Sequence, residues 1–87
     1  MMNKVESIKV VIMKAFELYK PMIDLNDKDL SIIDKMDNCI TIEELNQCIN
    51  CEEFREIKSI LKSKEFTDII KKSKYNDEQI AFVENLK

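Results

Sequence analysis

The most informative absences from this 87-residue sequence are glycine, histidine and tryptophan, because the chain has none of the three. Without glycine there is no phosphate-binding glycine loop and no dinucleotide-binding motif, since both need backbone conformations that only glycine supplies. Without histidine there is no Ser-His-Asp or Cys-His catalytic arrangement and no imidazole ligand for a metal. A glycine-loop nucleotide site and histidine-based catalysis are therefore excluded.

Alanine, arginine and proline are also scarce, whereas the chain has 13 lysines, 13 isoleucines and 7 asparagines. This bias is typical of a protein encoded in an AT-rich genome. Since tight β-hairpin turns favour glycine, its absence favours short capped helices over hairpins. We expect asparagine to adopt the conformations that glycine would take at the helix junctions. The asparagines at these places are Asn26, Asn38, Asn50 and Asn76.

Length and composition indicate a folded domain with one modest core, and we expect residues 1–87 to form a single domain. Apolar residues make up 45% of the chain and charged residues 36%, which is typical of folded rather than disordered proteins. No apolar run exceeds four residues, as in 10–13, so we expect no membrane association. Three cysteines without a secretion signal predict reduced thiols and a cytoplasmic location, or the host cytosol if the source is a virus.

Helix start signals recur along the chain. An Asn or Thr followed three residues later by Glu or Gln can satisfy two free N–H groups at a helix start. This spacing occurs at Asn3, Thr41, Asn50 and Asn76, and Asn26 precedes two aspartates. Apolar residues at helical spacing follow each signal. The pattern predicts an all-α fold, a compact bundle of five to six short helices, at residues 3–20, 26–37, 41–49, 51–62, 64–73 and 76–86.

Residues 65–83 also allow a second interpretation. The segment 65–70 is rich in aromatic and β-branched residues, which favour strands, and 80–83 could pair with it across a loop. The fold would then be a winged helix with a two-stranded wing at 65–83. The lack of glycine and the cap at Asn76 favour helices instead.

The first predicted helix is unusually apolar, with ten apolar residues among the fifteen from 5 to 19. The apolar stripe of a surface helix is narrower than this. Either the helix lies at the centre of the bundle, or one side of it is an interface. The second alternative predicts a homodimer or a partner groove around Val10, Val11 and Met13.

The cysteines and carboxylates offer little catalytic chemistry. Cys48 and Cys51 form a C-x-x-C, but Cys48 would end a helix rather than begin one, where a reactive thiol is favoured. With Cys39 they make three ligands, and a structural zinc site needs four. We interpret the three as small buried hydrophobic residues. No pair of carboxylates sits in a pattern that separates two pKa values, so we predict no metal, no cofactor and no enzyme.

Residues 30–66 carry a further pattern. A Thr-Ile-Glu-Glu-Leu helix start at 41–45 is followed by Asn50 between two apolar residues, the place of a left-handed turn residue. This segment resembles the helix-turn-helix and winged-helix families, and the resemblance implies nucleic-acid binding. Residues 55–74 have a net charge of +4, against −5 for residues 1–54. The phosphate contacts would then be Arg55, Lys58, Lys62, Lys71, Lys72 and Lys74.

Two observations favour a protein partner over a nucleic acid. Glu52, Glu53 and Glu56 stand where the recognition helix should meet the bases, and the chain as a whole is acidic. The number of short helices also resembles the death-fold interaction domains. We therefore predict a small intracellular protein–protein interaction module, an adaptor or inhibitor, whose partner is another protein or a second copy bound through the first helix. The alternative is a helix-turn-helix transcription regulator.

Overall fold

Helices dominate residues 3–86, the part of the chain that the computed structural model describes. No residue in that range is in a β-strand, so the prediction of an all-α bundle of five to six helices is confirmed. Single-turn 3-10 helices at Met22–Asp24 and Glu52–Phe54 precede α2 and α4. The α-helices are α1 (Lys4–Tyr19), α2 (Asp27–Asp37), α3 (Ile42–Ile49), α4 (Arg55–Leu61), α5 (Lys64–Lys72) and α6 (Asp77–Asn85).

The alternative of a two-stranded wing at 65–83 is wrong, because α5 and α6 occupy this segment. The Ser63 side chain accepts a hydrogen bond from the Phe66 N–H at 3.1 Å and starts α5. Asn76 and Gln79 form a reciprocal capping box that starts α6. Phe66 and Ile70, one helical turn apart, both face the core. These local signals outweigh the strand preference of the aromatic and β-branched residues.

Side-chain caps begin five of the six α-helices in the described range, and four of the five were predicted. Each cap accepts a hydrogen bond from the backbone N–H three residues later. The caps are Asn3, Asn26, Thr41, Ser63 and Asn76. The predicted cap at Asn50 is wrong. Asn50 ends α3, and α4 begins only at Arg55, after the 3-10 turn Glu52–Phe54.

The expectation that asparagine replaces glycine in left-handed conformations is also wrong, since no residue from 3 to 86 has a positive φ. Asn38 and Asn50 have φ of −81° and −91° and end their helices in the right-handed region. Asn26 and Asn76 are extended and act through their side chains as N-caps. The left-handed turn that a helix-turn-helix would place at Asn50 is therefore missing.

Helix α1 lies at the centre of the bundle and contacts α2, α3, α4 and α6. Its buried apolar residues are Ile8, Val11, Ile12, Ala15 and Phe16. The remaining apolar core residues are Ile32, Met36, Cys39, Leu45, Cys48, Ile49, Phe54, Ile57, Leu61, Phe66, Ile70 and Val83. The rings of Phe16 and Phe54 meet edge to face, with centroids 5.9 Å apart. Burying a side chain of this size contributes about 1.5–3 kcal/mol.

A buried hydrogen bond joins α6 to α1. The Gln79 side-chain nitrogen donates to the backbone carbonyl of Ser7 at 2.8 Å, across 72 residues of sequence. The Gln79 oxygen meanwhile accepts from the Asn76 backbone N–H at 2.9 Å. One glutamine therefore caps its own helix and fixes that helix against α1.

None of the helices between residues 3 and 86 has the combined length and apolar character needed to cross a membrane.

Candidate functional site

The two sides of α1 have opposite environments, and this divides the residues predicted for an interface. Val10 is 40% exposed, whereas Val11 is 0% exposed. Successive residues of a helix point about 100° apart, so Val11 shares the core side with Ile8 and Ala15. The assignment of Val11 to an interface is therefore wrong, because no partner can reach it. Val10 and Met13 remain accessible, Met13 being half-buried.

Val10 and Met13 line an open groove of about 400 Å³. It is formed by α1, the C-terminal end of α2 and the segment that leads into α6, and we call it the α1 groove. Its apolar residues are Val10, Met13, Met36 and Tyr75. Its charged residues are Glu6, Lys9, Lys14, Glu17 and Asp37.

Lys9 is the most constrained of the charged residues in the α1 groove. Its side chain is only 9% exposed, and its ammonium donates to the backbone carbonyl of Asp37 at 2.6 Å. The Glu6 carboxylate lies 3.6 Å from the same ammonium. A cation at the C-terminal end of a helix stabilises its free carbonyls, so Lys9 fixes the end of α2 against α1. Lys14 pairs with Glu17 at 3.5 Å in a more exposed setting.

A second cleft, of about 530 Å³, lies where the C-terminal end of α1 meets α2 and α4. Part of its polar lining is paired. The Lys20 ammonium lies 2.8 Å from the Asp29 carboxylate; this hydrogen bond lowers the pKa of Asp29 and raises that of Lys20. The neighbouring Glu56 carboxylate raises the pKa of Tyr19. Lys28 and Glu53 also line this cleft.

The predicted nucleic-acid contacts fall into two groups. Arg55, Lys58 and Lys62 line one shallow groove of about 360 Å³ along α4. Arg55 pairs with Glu52 at 3.2 Å, and Lys58 donates to the Asn50 side chain. Two of the three cations therefore already have protein partners.

The other three predicted contacts, Lys71, Lys72 and Lys74, are exposed on the last turn of α5 and just after it. Lys71 pairs with Glu84 of α6 at 3.1 Å. None of the three lines the shallow groove of α4. The structure therefore places them on a helix end and not at the tip of a wing.

The three cysteines lie near α3. Cys39 and Cys48 are buried, as predicted, and Cys51 is half-buried. Burial raises the pKa of Cys48 from its ordinary value of 9.0 to about 12, and the neighbouring Cys39 and Cys51 add to this shift. Within residues 3–86, no group of three or more Cys, Asp or Glu side chains has the geometry to hold a metal ion.

Sequence reasoning named only two of the nine residues that line the α1 groove, Val10 and Met13. Among those it missed, Tyr75 lies outside the described helices, and no periodicity connects it to α1. Lys9 stands between Ile8 and Val10 in an apolar segment, which was a signal that it lies at the edge of the core.

Neither a known protein family, nor a characterised protein, nor a solved structure matches this chain.

Proposed function

We propose that this protein is a protein–protein interaction module, an adaptor or inhibitor, that binds its partner through the α1 groove. The observation that carries the proposal is that Val10 and Met13 remain accessible beside Met36 and Tyr75. Apolar centres with charged rims are typical of interaction sites. The three cysteines, free in this structure, fit a reducing cytoplasm as the site of action.

The shape of the groove favours an amphipathic helix of the partner. Its residues on α1 run from Glu6 to Glu17, which corresponds to about 16 Å along the helix axis. About three turns of a second helix fit that length, with anchors at positions i, i+3 or i+4, and i+7. Met13 is half-buried, unbranched and flexible, so it can adapt to the anchor side chains.

The charges around the groove would determine which helix binds. Lys9 and Lys14 already pair with Glu6 and Glu17, and Asp37 adds a further negative charge. The groove therefore has a net charge of −1, with a carboxylate near each end of its α1 side. A partner helix with lysine or arginine beside its apolar anchors would complement this rim, and such complementarity governs specificity and association rate.

Affinity capture from the native cell with matched variants tests the proposal. Val10→Asp places a charge in the groove. Ile23→Asp makes a similar change at an isoleucine that is 92% exposed and lies outside the groove. We expect a partner that the wild type and Ile23→Asp retain and Val10→Asp loses, confirmed with the purified partner. A purified partner that binds Val10→Asp as tightly as the wild type would contradict the proposal.

Sedimentation at several concentrations tests whether the partner is a second copy of this chain. A homodimer through α1 predicts a mass that rises with concentration in the wild type and Ile23→Asp but stays monomeric in Val10→Asp. A monomer at every concentration would exclude a second copy of this chain as the partner.

Nucleic-acid binding is the second candidate, and the observation that favours it is the row of Arg55, Lys58 and Lys62 on one face of α4. Titration of duplex DNA at two salt concentrations tests it, since phosphate contacts weaken steeply with salt. Lys62→Glu should then weaken binding, whereas Lys28→Glu, on α2, should have a smaller effect. No binding up to about 100 μM would exclude this candidate, because even non-specific binders reach that range.

A further inference from the structure

Two of the three cysteines, Cys48 and Cys51, are joined by the turn that follows α3. Cys48 lies in the last turn of α3, and Cys51 directly precedes the 3-10 turn. The Cys51 backbone N–H donates to the Cys48 carbonyl at 3.2 Å, and the Cys51 thiol donates to the same oxygen at 2.8 Å. Cys51 is therefore bonded to the Cys48 carbonyl through both its backbone and its side chain.

The turn brings the two Cα atoms into the range that a disulfide requires. A four-residue turn closed in this way keeps its first and fourth Cα atoms within about 7 Å. Disulfides need Cα atoms about 4.4–6.8 Å apart. Cys39 also neighbours the Cys48 thiol, but no turn joins the two residues, and the Cys39 thiol donates to the Lys35 carbonyl at 3.4 Å.

The two thiols differ in accessibility. Cys48 is 4% exposed, whereas Cys51 is half-buried and has the Lys35 ammonium 3.9 Å from its sulfur. A small reagent therefore reaches Cys51 first. We propose that Cys51 is a modification site for low-molecular-weight disulfides such as oxidised glutathione, and that Cys48 resolves the mixed disulfide into a Cys48–Cys51 bond.

The chemistry balances with one molecule of oxidised glutathione. The Cys51 thiolate attacks one sulfur of the glutathione disulfide, which forms a mixed disulfide and releases one glutathione. The Cys48 thiolate then attacks the Cys51 sulfur and releases the second glutathione. The protein loses two electrons, and its two thiol protons pass through solvent to the two glutathiones. Because burial holds the pKa of Cys48 at about 12, the second step is slow at neutral pH and accelerates as the pH rises.

Intact mass spectrometry of the reduced full chain during incubation with oxidised glutathione tests the proposal. We expect a species with one glutathione adduct to form first. A species without the adduct, lighter than the reduced chain by two hydrogens, should then replace it. Cleavage after Glu44 separates Cys39 from the other two cysteines and locates the bond. Three thiols that stay free, an adduct that persists at every pH tested, or a bond that includes Cys39 would overturn the proposal.

Single variants separate the two steps. In Cys48→Ala the adduct should remain on Cys51. In Cys51→Ser no adduct should form at the wild-type rate. Cys39→Ser should form the Cys48–Cys51 disulfide as the wild type does. Circular dichroism checks that each variant is folded. If a buried variant does not fold, the bond located in the wild type still decides the outcome.

Discussion

The two sides of α1 carry similar residues and have opposite roles. Val10 and Val11 are the same amino acid at adjacent positions, yet one lies in an open groove and the other is completely buried. Lys9 and Lys14 each pair with a glutamate three residues away, yet only Lys9 also binds a helix end. Composition therefore does not determine the role of a residue on this helix. The role depends on which side α4 and α6 cover.

The largest expected loss of stability comes from a charge on the core side of α1. Val11→Asp places a carboxylate in the core without a partner, and we expect a loss of about 4 kcal/mol or more, enough to unfold a domain of this size. Val10→Asp should change the free energy of unfolding by no more than about 1 kcal/mol. Urea unfolding measures both. Similar losses for the two variants would contradict the division of α1 into two sides.

The second-largest effect concerns the buried hydrogen bond by which Gln79 of α6 binds Ser7 of α1. Gln79→Ala removes the hydrogen bond to Ser7 and half of the α6 capping box, and we expect a loss of about 1–3 kcal/mol. Glu78→Ala, at the exposed neighbouring position, should cost no more than about 0.5 kcal/mol. Thermal unfolding of both variants compares them, and equal stabilities would mean that α6 is not held through Gln79.

The paired lysines make a finer comparison. Lys9→Ala leaves the Asp37 carbonyl without its donor and removes a buried stem, so we expect a loss of about 1–2 kcal/mol. Lys14→Ala breaks only an exposed pair and should cost less than about 0.5 kcal/mol. If urea midpoints shifted equally for the two variants, the extra contact of Lys9 would contribute nothing to stability.

The smallest effect is a pH dependence at the C-terminal end of α1. The pKa of Asp29 is lower in the folded protein than its ordinary 3.8, mainly because Lys20 donates to it. The stability from this shift is complete above that ordinary value and is lost as the pH falls through the lower folded pKa. Lys20→Met should therefore lose less stability on acidification than the wild type or the control Lys14→Met. Urea midpoints measured from neutral to acidic pH test this, and identical acid profiles would contradict it.

Local signals in the sequence predicted the starts of four of the six α-helices between residues 3 and 86. Asn3, Asn26, Thr41 and Asn76 mark helix starts because a cap acts on the backbone only three residues away. Asn50 shows where this reasoning fails. Its side chain donates to the Asn46 carbonyl at the end of α3, and the following backbone forms a 3-10 turn. An asparagine can cap the start of the next helix or bond to a carbonyl at the end of the preceding one. A glutamate three residues later does not distinguish these two uses.

The candidate site was less predictable because it depends on contacts between distant segments. The apolar excess of the first helix predicted an interface at Val10 and Met13, which are accessible, but also at Val11, which is buried. A helix with apolar residues on most of its circumference has no single apolar direction. The packing of α4 and α6 decides which direction is covered, and it also places Tyr75 in the same groove as Met13.

The hydrogen bond between Ser7 and Gln79 has a consequence for synthesis of the chain. Ribosomes add about 5–20 residues per second, so the 72 residues between these partners take on the order of ten seconds to make. During that interval α1 has emerged but α6 has not, and the buried side of α1 lacks part of its cover. Helix α1 is thus fully enclosed only after α6 has been made, and its buried side needs protection from aggregation until then.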